Sequence, residues 1–586
     1  MGLIDPGMTV REVIRKFPAT LPVFDRHGLM GCGGSRGPVE PLGWFAQVHH
    51  VELETLLKEL EEAAARVEPP APVAAAPPSR SEMARENLYR RFLKTALLFT
   101  FTGGTALGAW ALIVMGLRGE LGGIGRGLIQ VHGHYQLYGW VALFVMGVAY
   151  HVLPRLTGVP LPSYRLASLS FVAMVAGTVL RTAQALDPSA ARTVLLLGGA
   201  LLELAGCLLF FWTVGKILAS QPDGVKPYQS YLAVGTLMLC ACSLMNLWHA
   251  GTLAVRDEFE VPPHLNIPFL TLFLAGFVAF WILGISLRTL PVFMGLRSRP
   301  AVASAVTVPL AASVALLAVG ESLLLSGGSP VARALFGIGG IGTAAGFGIF
   351  TWALGILGPS GETEPGLDRG YEKFLRLGYA WLVVSGIMLA IFSLLAIAGR
   401  DMDHAFVGAY RHALTVGFIT TIMVGMASRI IPVFRGVPIH SPVLTEITFW
   451  LLAVGNLMRV LFQSLSGLYG GQWLKVTSVS GVLELTGLLL FGYNLYRTLN
   501  AETGEEAAAV GAAPPIAGDT RVGDLLTAYP ALLPVFVGAG FTPLANPVLR
   551  RTLAKGVSIA QACRMQGVNI EEFLARLVEA RERPQA

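Results

Sequence analysis

Charge is scarce in this chain. Of 586 residues only 14% are charged and 53% are hydrophobic, with a mean hydropathy of +0.61. Soluble domains run near a quarter charged, so a soluble globule is excluded. Cysteine is sparse too, and five residues in so long a chain cannot form a disulfide framework. The apolar runs lack period-two alternation, which excludes the strands of an outer-membrane barrel. The opening residues, with Asp5 and Arg11 and no apolar core, do not make a cleavable signal peptide. A net charge of +6 and a pI near 9.1 do not signal nucleic-acid binding. Basic residues stand mostly at the ends of apolar runs, where they follow membrane topology.

What is present is long hydrophobic runs. On the scale of roughly 20 residues per crossing, they predict about twelve transmembrane helices in an all-α polytopic protein. The spans lie at 92–117, 130–154, 163–186 and 192–217, then 229–254, 266–291, 302–326 and 332–357, then 374–399, 408–433, 443–466 and 475–498. Three copies of one signature organise them: Gly139, Gly147, Pro154, Gly158; Gly276, Gly284, Pro291, Gly295; and Gly417, Gly425, Pro432, Gly436. Identical internal spacing predicts three four-helix repeats. Loops after even-numbered helices carry Arg155, Arg165, Lys226, Arg288, Arg297, Arg299, Arg369, Lys373, Arg429 and Arg435. The opposite loops hold fewer, among them Arg118, Arg126, Arg192, Arg256, Arg333 and Arg400. That bias places both termini in the cytoplasm of a prokaryotic inner membrane, with lipid as the surrounding partner.

The ends are soluble. A Pro/Ala-rich linker at 65–88 follows a helical module at 1–64, and a second linker at 501–518 precedes another module at 519–586. The membrane domain is 89–500. The two modules are copies: Val10, Val13, Pro18, Pro22, Phe24 and Gly28 match Val522, Leu525, Pro530, Pro534, Phe536 and Gly540. Short amphipathic helices are predicted at 51–61 and 568–580. With Thr9-Val10-Arg11-Glu12-Val13, Phe17-Pro18 and His27-Gly28-Leu29 leading to Cys32, the first module resembles the amino-terminal domain of ScdA-type di-iron repair proteins. Those families commonly carry paired cysteines at this turn. Here Cys32 stands alone and the second copy has Leu544, so docking of cytoplasmic proteins outweighs thiol chemistry. Cys207, Cys240 and Cys242 read as apolar packing groups, and Cys563 has no obvious partner.

Of 11 histidines, six fall around the outward connections: His132, His134, His249, His264, His404 and His412. Ligating groups at membrane depth are costly, which makes the cluster a functional candidate. His134 and His412 occupy equivalent places in the first and third units, and Thr271 stands there in the second. Two matched imidazoles facing a common gap predict one b-type haem. Gly139 and Gly417 would leave room for the macrocycle, and Arg411 or Arg126 would meet its propionates. His132 points about 200° away from His134 on a helix. With His249, His264 and His404 it is a candidate for a second metal site, copper or another haem.

The segment His132-Gly133-His134-Tyr135-Gln136-Leu137-Tyr138-Gly139-Trp140, continuing to Tyr150-His151-Val152-Leu153-Pro154-Arg155, resembles the NnrS family. So does Arg411-His412-Ala413-Leu414-Thr415-Val416-Gly417, continuing to Arg429. The resemblance spans roughly residues 90–500. It implies a twelve-helix haem- and copper-containing membrane protein tied to nitric oxide stress, with nitric oxide as small gas ligand. More distantly the arrangement resembles subunit I of haem-copper oxidases, whose low-spin haem ligands would map to His134 and His412. The sixth and seventh helices contain no histidine, so the oxygen-reducing centre of that family is not visible.

Intramembrane carboxylates complete the set. Glu203 and Glu484 have matching contexts on the fourth helices of the first and third units, and Glu321 is alone on the seventh. A proton or quinol path is one reading. Structural pairing with Arg181 and Arg459 is the preferred one. Two further functions stay open: a transporter built from internal repeats, and a haem-based redox sensor signalling through its modules. Whether the chain is an enzyme, an oxidoreductase acting on nitric oxide, is left open by the residues.

Overall fold

The computed structural model describes residues 3–27, 41–49, 51–65, 80–122, 124–187, 189–220, 226–361, 369–435, 437–501 and parts of 516–582. Cys32 and Gly436 lie outside the described residues, as does most of both linkers. The described residues form no strand beyond one isolated bridge between Thr9 and Pro41. Twelve helices are long and apolar enough to cross a membrane. They run Asn87–Arg118, Arg126–Thr157, Tyr164–Ala185 and Ala190–Ala219 in the first unit. The second unit has Pro227–Arg256, Pro263–Met294, Pro300–Ser326 and Pro330–Leu354, and the third Glu372–Ile397, His404–Arg435, Pro442–Tyr469 and Trp473–Leu499. Most extend a few residues past the expected apolar spans, because helices continue into the interface where hydropathy has already fallen.

The second, sixth and tenth helices are the inner ones. Their apolar windows are 78%, 78% and 67% buried, against at most 50% for the other nine. Third and fourth helices of each unit pack as antiparallel pairs, each fourth helix meets the first helix of the next unit, and the twelfth packs on the first. The ring therefore closes. Its seventh–eighth seam is tight: a Cβ on Gly320 would strike the backbone of Phe336, and one on Gly339 the backbone of Leu317. Small residues let helix backbones approach closely inside a membrane.

Each inner helix widens to π-helix at the same point, over Tyr135–Ala142, Leu272–Val278 and Ala413–Thr420. Gly139, Gly276 and Gly417 sit inside these stretches. Pro154, Pro291 and Pro432 lie in the last turns of the inner helices, and left-handed Gly158 and Gly295 (φ 71° and 61°) end the first two. Serines at equivalent positions, Ser163 and Ser441, cap the third and eleventh helices through Leu166 and Leu444 N–H.

Each soluble module has its own core. In the first, Val10, Val13, Phe24, Phe45, Leu56 and Leu60 are buried together, and Thr9 and Glu12 form a capping box at the start of Val10–Lys16. Its predicted closing helix runs Leu53–Ala65. Trp44 is 1% exposed and lies 6.4 Å from Phe293 of the sixth helix, with Arg429 of the tenth over its ring. In the second module Val522, Leu525 and Phe536, counterparts of Val10, Val13 and Phe24, are buried with Cys563, Phe573 and Leu577, and the closing helix runs Ile570–Glu582. Burial there pushes the Cys563 thiol pKa up.

Candidate functional site

A cavity of about 990 Å³ lies among the inner helices, with further walls from the first, fifth, eleventh and twelfth. Leu112, Ile129, Leu137, Leu270, Leu274 and Ile419 give it apolar faces. Leu121, Gly122, Ile124 and Gly125 from the first-to-second connection, with Glu260 and Val261 from the fifth-to-sixth, frame one end. Both connections follow odd-numbered helices and lie at the same end of the helix bundle. Arg126 pairs with Glu260 there at 3.3 Å, which engages it at the rim. Volume and mixed lining suit a small-molecule or cofactor site.

His134 is held on one flank. Its Nε2 is 2.7 Å from Glu203 Oε1, and Glu203 is fully buried. Thr178 Oγ1 donates to the same oxygen at 3.1 Å, while Asn246 Nδ2 donates to Oε2 at 2.7 Å. Arg181 Nε donates to Asn246 Oδ1 at 3.2 Å. The expected Arg181–Glu203 pair is therefore indirect: Asn246, from the fifth helix, stands between them. Asn246 was the residue that sequence reasoning missed, although an amide inside an apolar run is itself a signal. Tyr138 stacks on the His134 ring at 4.8 Å.

His132 and His412 present a different chemistry. His132 Nδ1 is 2.9 Å from the Gly104 carbonyl and His412 Nδ1 is 3.0 Å from the Gly408 carbonyl. A carbonyl only accepts, so in each ring Nδ1 carries the proton and Nε2 keeps its lone pair. Both rings line the chamber, and His132 is among the groups acting electrostatically on His412. Gly108 makes this possible, since a Cβ there would strike the His132 ring. Glu203 engages His134 Nε2 and leaves Nδ1 as the nitrogen a metal could take, whereas His132 on the same helix and His412 keep Nε2.

The remaining candidates are dispersed. His404, at the start of the tenth helix, lines the chamber, as does His249, whose ring meets Phe269 edge-on at 5.3 Å. His264 does not line it. Among the described residues, no three or more His, Cys, Asp or Glu side chains come together to hold a metal ion. His132, His249 and His404 line the chamber from separate helices, and His264 lies outside it. Gly139 and Gly417 lie at close side-chain contacts. A Cβ at Gly139 would lie 2.8 Å from Phe99, and one at Gly417 would lie 2.6 Å from Asn456 and from Trp381. Both glycines serve close helix packing. Arg411 does line the chamber, and its Nη2 is buried without a hydrogen-bond partner. Glu321 faces Thr271, the residue in the place of the missing second-unit histidine.

A twelve-helix membrane protein with an imidazole-bearing chamber open toward one side is the class that fold and site define. Residues 226–502, the second and third units, match the family model described as NnrS protein. Residues 516–574 match the Domain of unknown function (DUF1858), which places the second module in that domain family. The first unit, including His132 and His134, precedes the matched segment. No curated protein matches the chain.

Proposed function

We propose that this protein binds haem in its central chamber and acts on nitric oxide or in the response to nitrosative stress. The match to the NnrS family model supports the general reading. The observation that carries the cofactor is the pair of Nδ1-tethered imidazoles, His132 and His412, in one apolar-walled cavity. A backbone carbonyl on the second ring nitrogen is the usual way to fix a ligating histidine's tautomer and orientation. The residues present fit the group. His132 and His412 would hold the iron from two inner helices, and Arg411 Nη2 would meet a carboxylate of the macrocycle. Held by both imidazoles, haem would supply a redox-active iron that passes electrons. The chain's own part is to orient the two imidazoles, to exclude bulk water with Leu137, Leu274 and Ile419, and to hold His134 aside on Glu203.

The test is a reduced-minus-oxidised absorption spectrum of the purified protein and three variants. His132→Ala and His412→Ala should each abolish a low-spin haem signal, and His134→Ala should retain it. Loss in His134→Ala with retention in His132→Ala would restore the symmetric pair and refute this assignment. The basic bias of the even-numbered loops further supports an inner-membrane placement with cytoplasmic termini. An impermeant thiol reagent applied outside intact cells should then fail to label Cys32, and labelling would invert the topology.

A further inference from the structure

The eleventh and twelfth helices carry buried polar groups that the haem reading does not use. Asn456, Arg459 and Gln463 recur at spacings of three and four, so they share one face of the eleventh helix. Glu484 faces them from the twelfth, with its Cγ 3.0 Å from where a Cβ on Gly455 would stand. Asn456, Gln463 and Glu484 are 1%, 3% and 6% exposed. Arg459, Gln463 and Glu484 line the chamber beside His412. Each of these groups has at least one unmet polar atom. Asn456 Nδ2, Arg459 Nε and Arg459 Nη1 are donors without acceptors, and Asn456 Oδ1, Gln463 Oε1 and Glu484 Oε1 are acceptors without donors. Native proteins leave few such atoms, and a cluster of them calls for a missing occupant.

The equivalent place in the first unit shows that this is not a property of the repeat. Thr178, Arg181 and Glu203 occupy the matching positions, and there Glu203 accepts three hydrogen bonds. There Arg181 Nη1 is the one unmet atom among the three residues, whereas the third-unit group has six.

The balance of unmet groups identifies the occupant's chemistry. An anion would satisfy three donors and leave three acceptors bare, and a cation would do the reverse. Arg459 and Glu484 offset each other in charge. We infer that Asn456, Arg459, Gln463 and Glu484 form a binding subsite for neutral hydroxyl groups, which donate and accept together. Two sources share that chemistry: an ordered water cluster, or the hydroxyls of an apolar ring such as a hydroquinone, whose ring the neighbouring Leu488 and Ile419 would cover. The subsite does not depend on haem, and its test is separate from the absorption spectrum.

The experiment uses the full chain in lipid nanodiscs, with a tail-less benzohydroquinone as probe under anaerobic conditions. A ligand that binds the native state raises the unfolding temperature by mass action. If a hydroquinone is the occupant, the probe gives a saturable upward shift. Asn456→Leu or Gln463→Leu then weakens binding about tenfold, the effect of one or two hydrogen bonds. Thr178→Val, at the satisfied copy, leaves binding unchanged. If water is the occupant, the probe gives no shift, and a high-resolution map of the same sample shows waters bridging Arg459 to Glu484. The inference is overturned by a direct Arg459–Glu484 ion pair with nothing between them, by a carboxylate or metal in the subsite, or by probe binding indifferent to both leucine substitutions.

Discussion

Glu203→Gln and Glu484→Gln should differ sharply in cost, although the two glutamates are related by the internal repeat. Each substitution removes one negative charge beside an arginine, Arg181 of the third helix or Arg459 of the eleventh, so that contribution largely cancels between them. What does not cancel is hydrogen bonding. Glu203 accepts from His134, Thr178 and Asn246 at 2.7, 3.1 and 2.7 Å, whereas Glu484 Oε1 accepts nothing. A glutamine in place of Glu203 can offer its oxygen to His134 and Thr178, but each bond then loses a charged acceptor, roughly 1 kcal/mol apiece. Its amide meets the Asn246 amide donor to donor, which costs about another 1 kcal/mol unless Asn246 turns over and leaves Arg181. Interhelical hydrogen bonds in membranes run at the low end of such values, near 0.6 kcal/mol on average. The expected difference is therefore about 2–3 kcal/mol, roughly 30- to 150-fold in the folded-to-unfolded ratio. Reversible unfolding in mixed micelles, followed by far-ultraviolet circular dichroism, measures it. Equal costs, or a larger cost for Glu484→Gln, would show that the Glu203 network contributes nothing beyond its charge.

Three further outcomes are expected. Gly339→Ala should splay the seventh and eighth helices, because its Cβ meets backbone rather than a movable side chain, and should destabilise by about 1–3 kcal/mol in the same unfolding assay. Trp44→Ala should loosen the first module from the membrane domain, read as faster proteolysis within residues 41–65 while the transmembrane helices stay protected, since Trp44 buries its ring against Phe293. Glu12 has its pKa lowered by the Thr9 backbone and side-chain hydrogen bonds of the capping box. Its stabilising contribution is therefore complete above the ordinary glutamate value and is lost as pH falls through the lower folded value. A thermal-melt series across that window should show the first module weakening on acidification, and Glu12→Gln should flatten that dependence.

Much of the membrane fold was legible because its causes are local. Apolar runs of crossing length gave the helix count, and the spacing of Gly139, Gly276 and Gly417 marked the points where each inner helix widens. The module copies were legible for the same reason: Val10, Val13 and Phe24 reappear as Val522, Leu525 and Phe536 in equivalent cores. The site was less legible. Sequence symmetry paired His134 with His412, but whether a ring nitrogen is free depends on a neighbour from another helix. Glu203 reaches His134 from 69 residues away, while His412 turns back on Gly408 four residues earlier. The sequence also does not reveal which side chains face the glycines near these histidines: Phe99 of the first helix lies against Gly139 and Trp381 of the ninth against Gly417. Side-chain direction beside a π-helical stretch is a tertiary property, because the extra residue in the turn re-aims the positions around it.

The departure from symmetry is what makes a chamber with two unlike flanks. At the first-unit flank the fifth helix supplies Asn246, an amide that links Arg181 to Glu203 and leaves the carboxylate fully occupied. At the third-unit flank the first helix presents Gly108 and Ala109 to the chamber, and its nearby Thr105 is engaged with Thr100 and Gln136. Glu484 Oε1 is left without a donor. The same small residues that withhold a donor from Glu484 Oε1 admit the His132 ring, whose Nδ1 is then fixed on Gly104. A free imidazole pair and an unsatisfied polar face therefore share one cause, the absence of bulk on the first helix at this depth. Filling that space, for example by Gly108→Leu, should displace His132 and crowd the polar face together, so a site that binds at either place loses both at once.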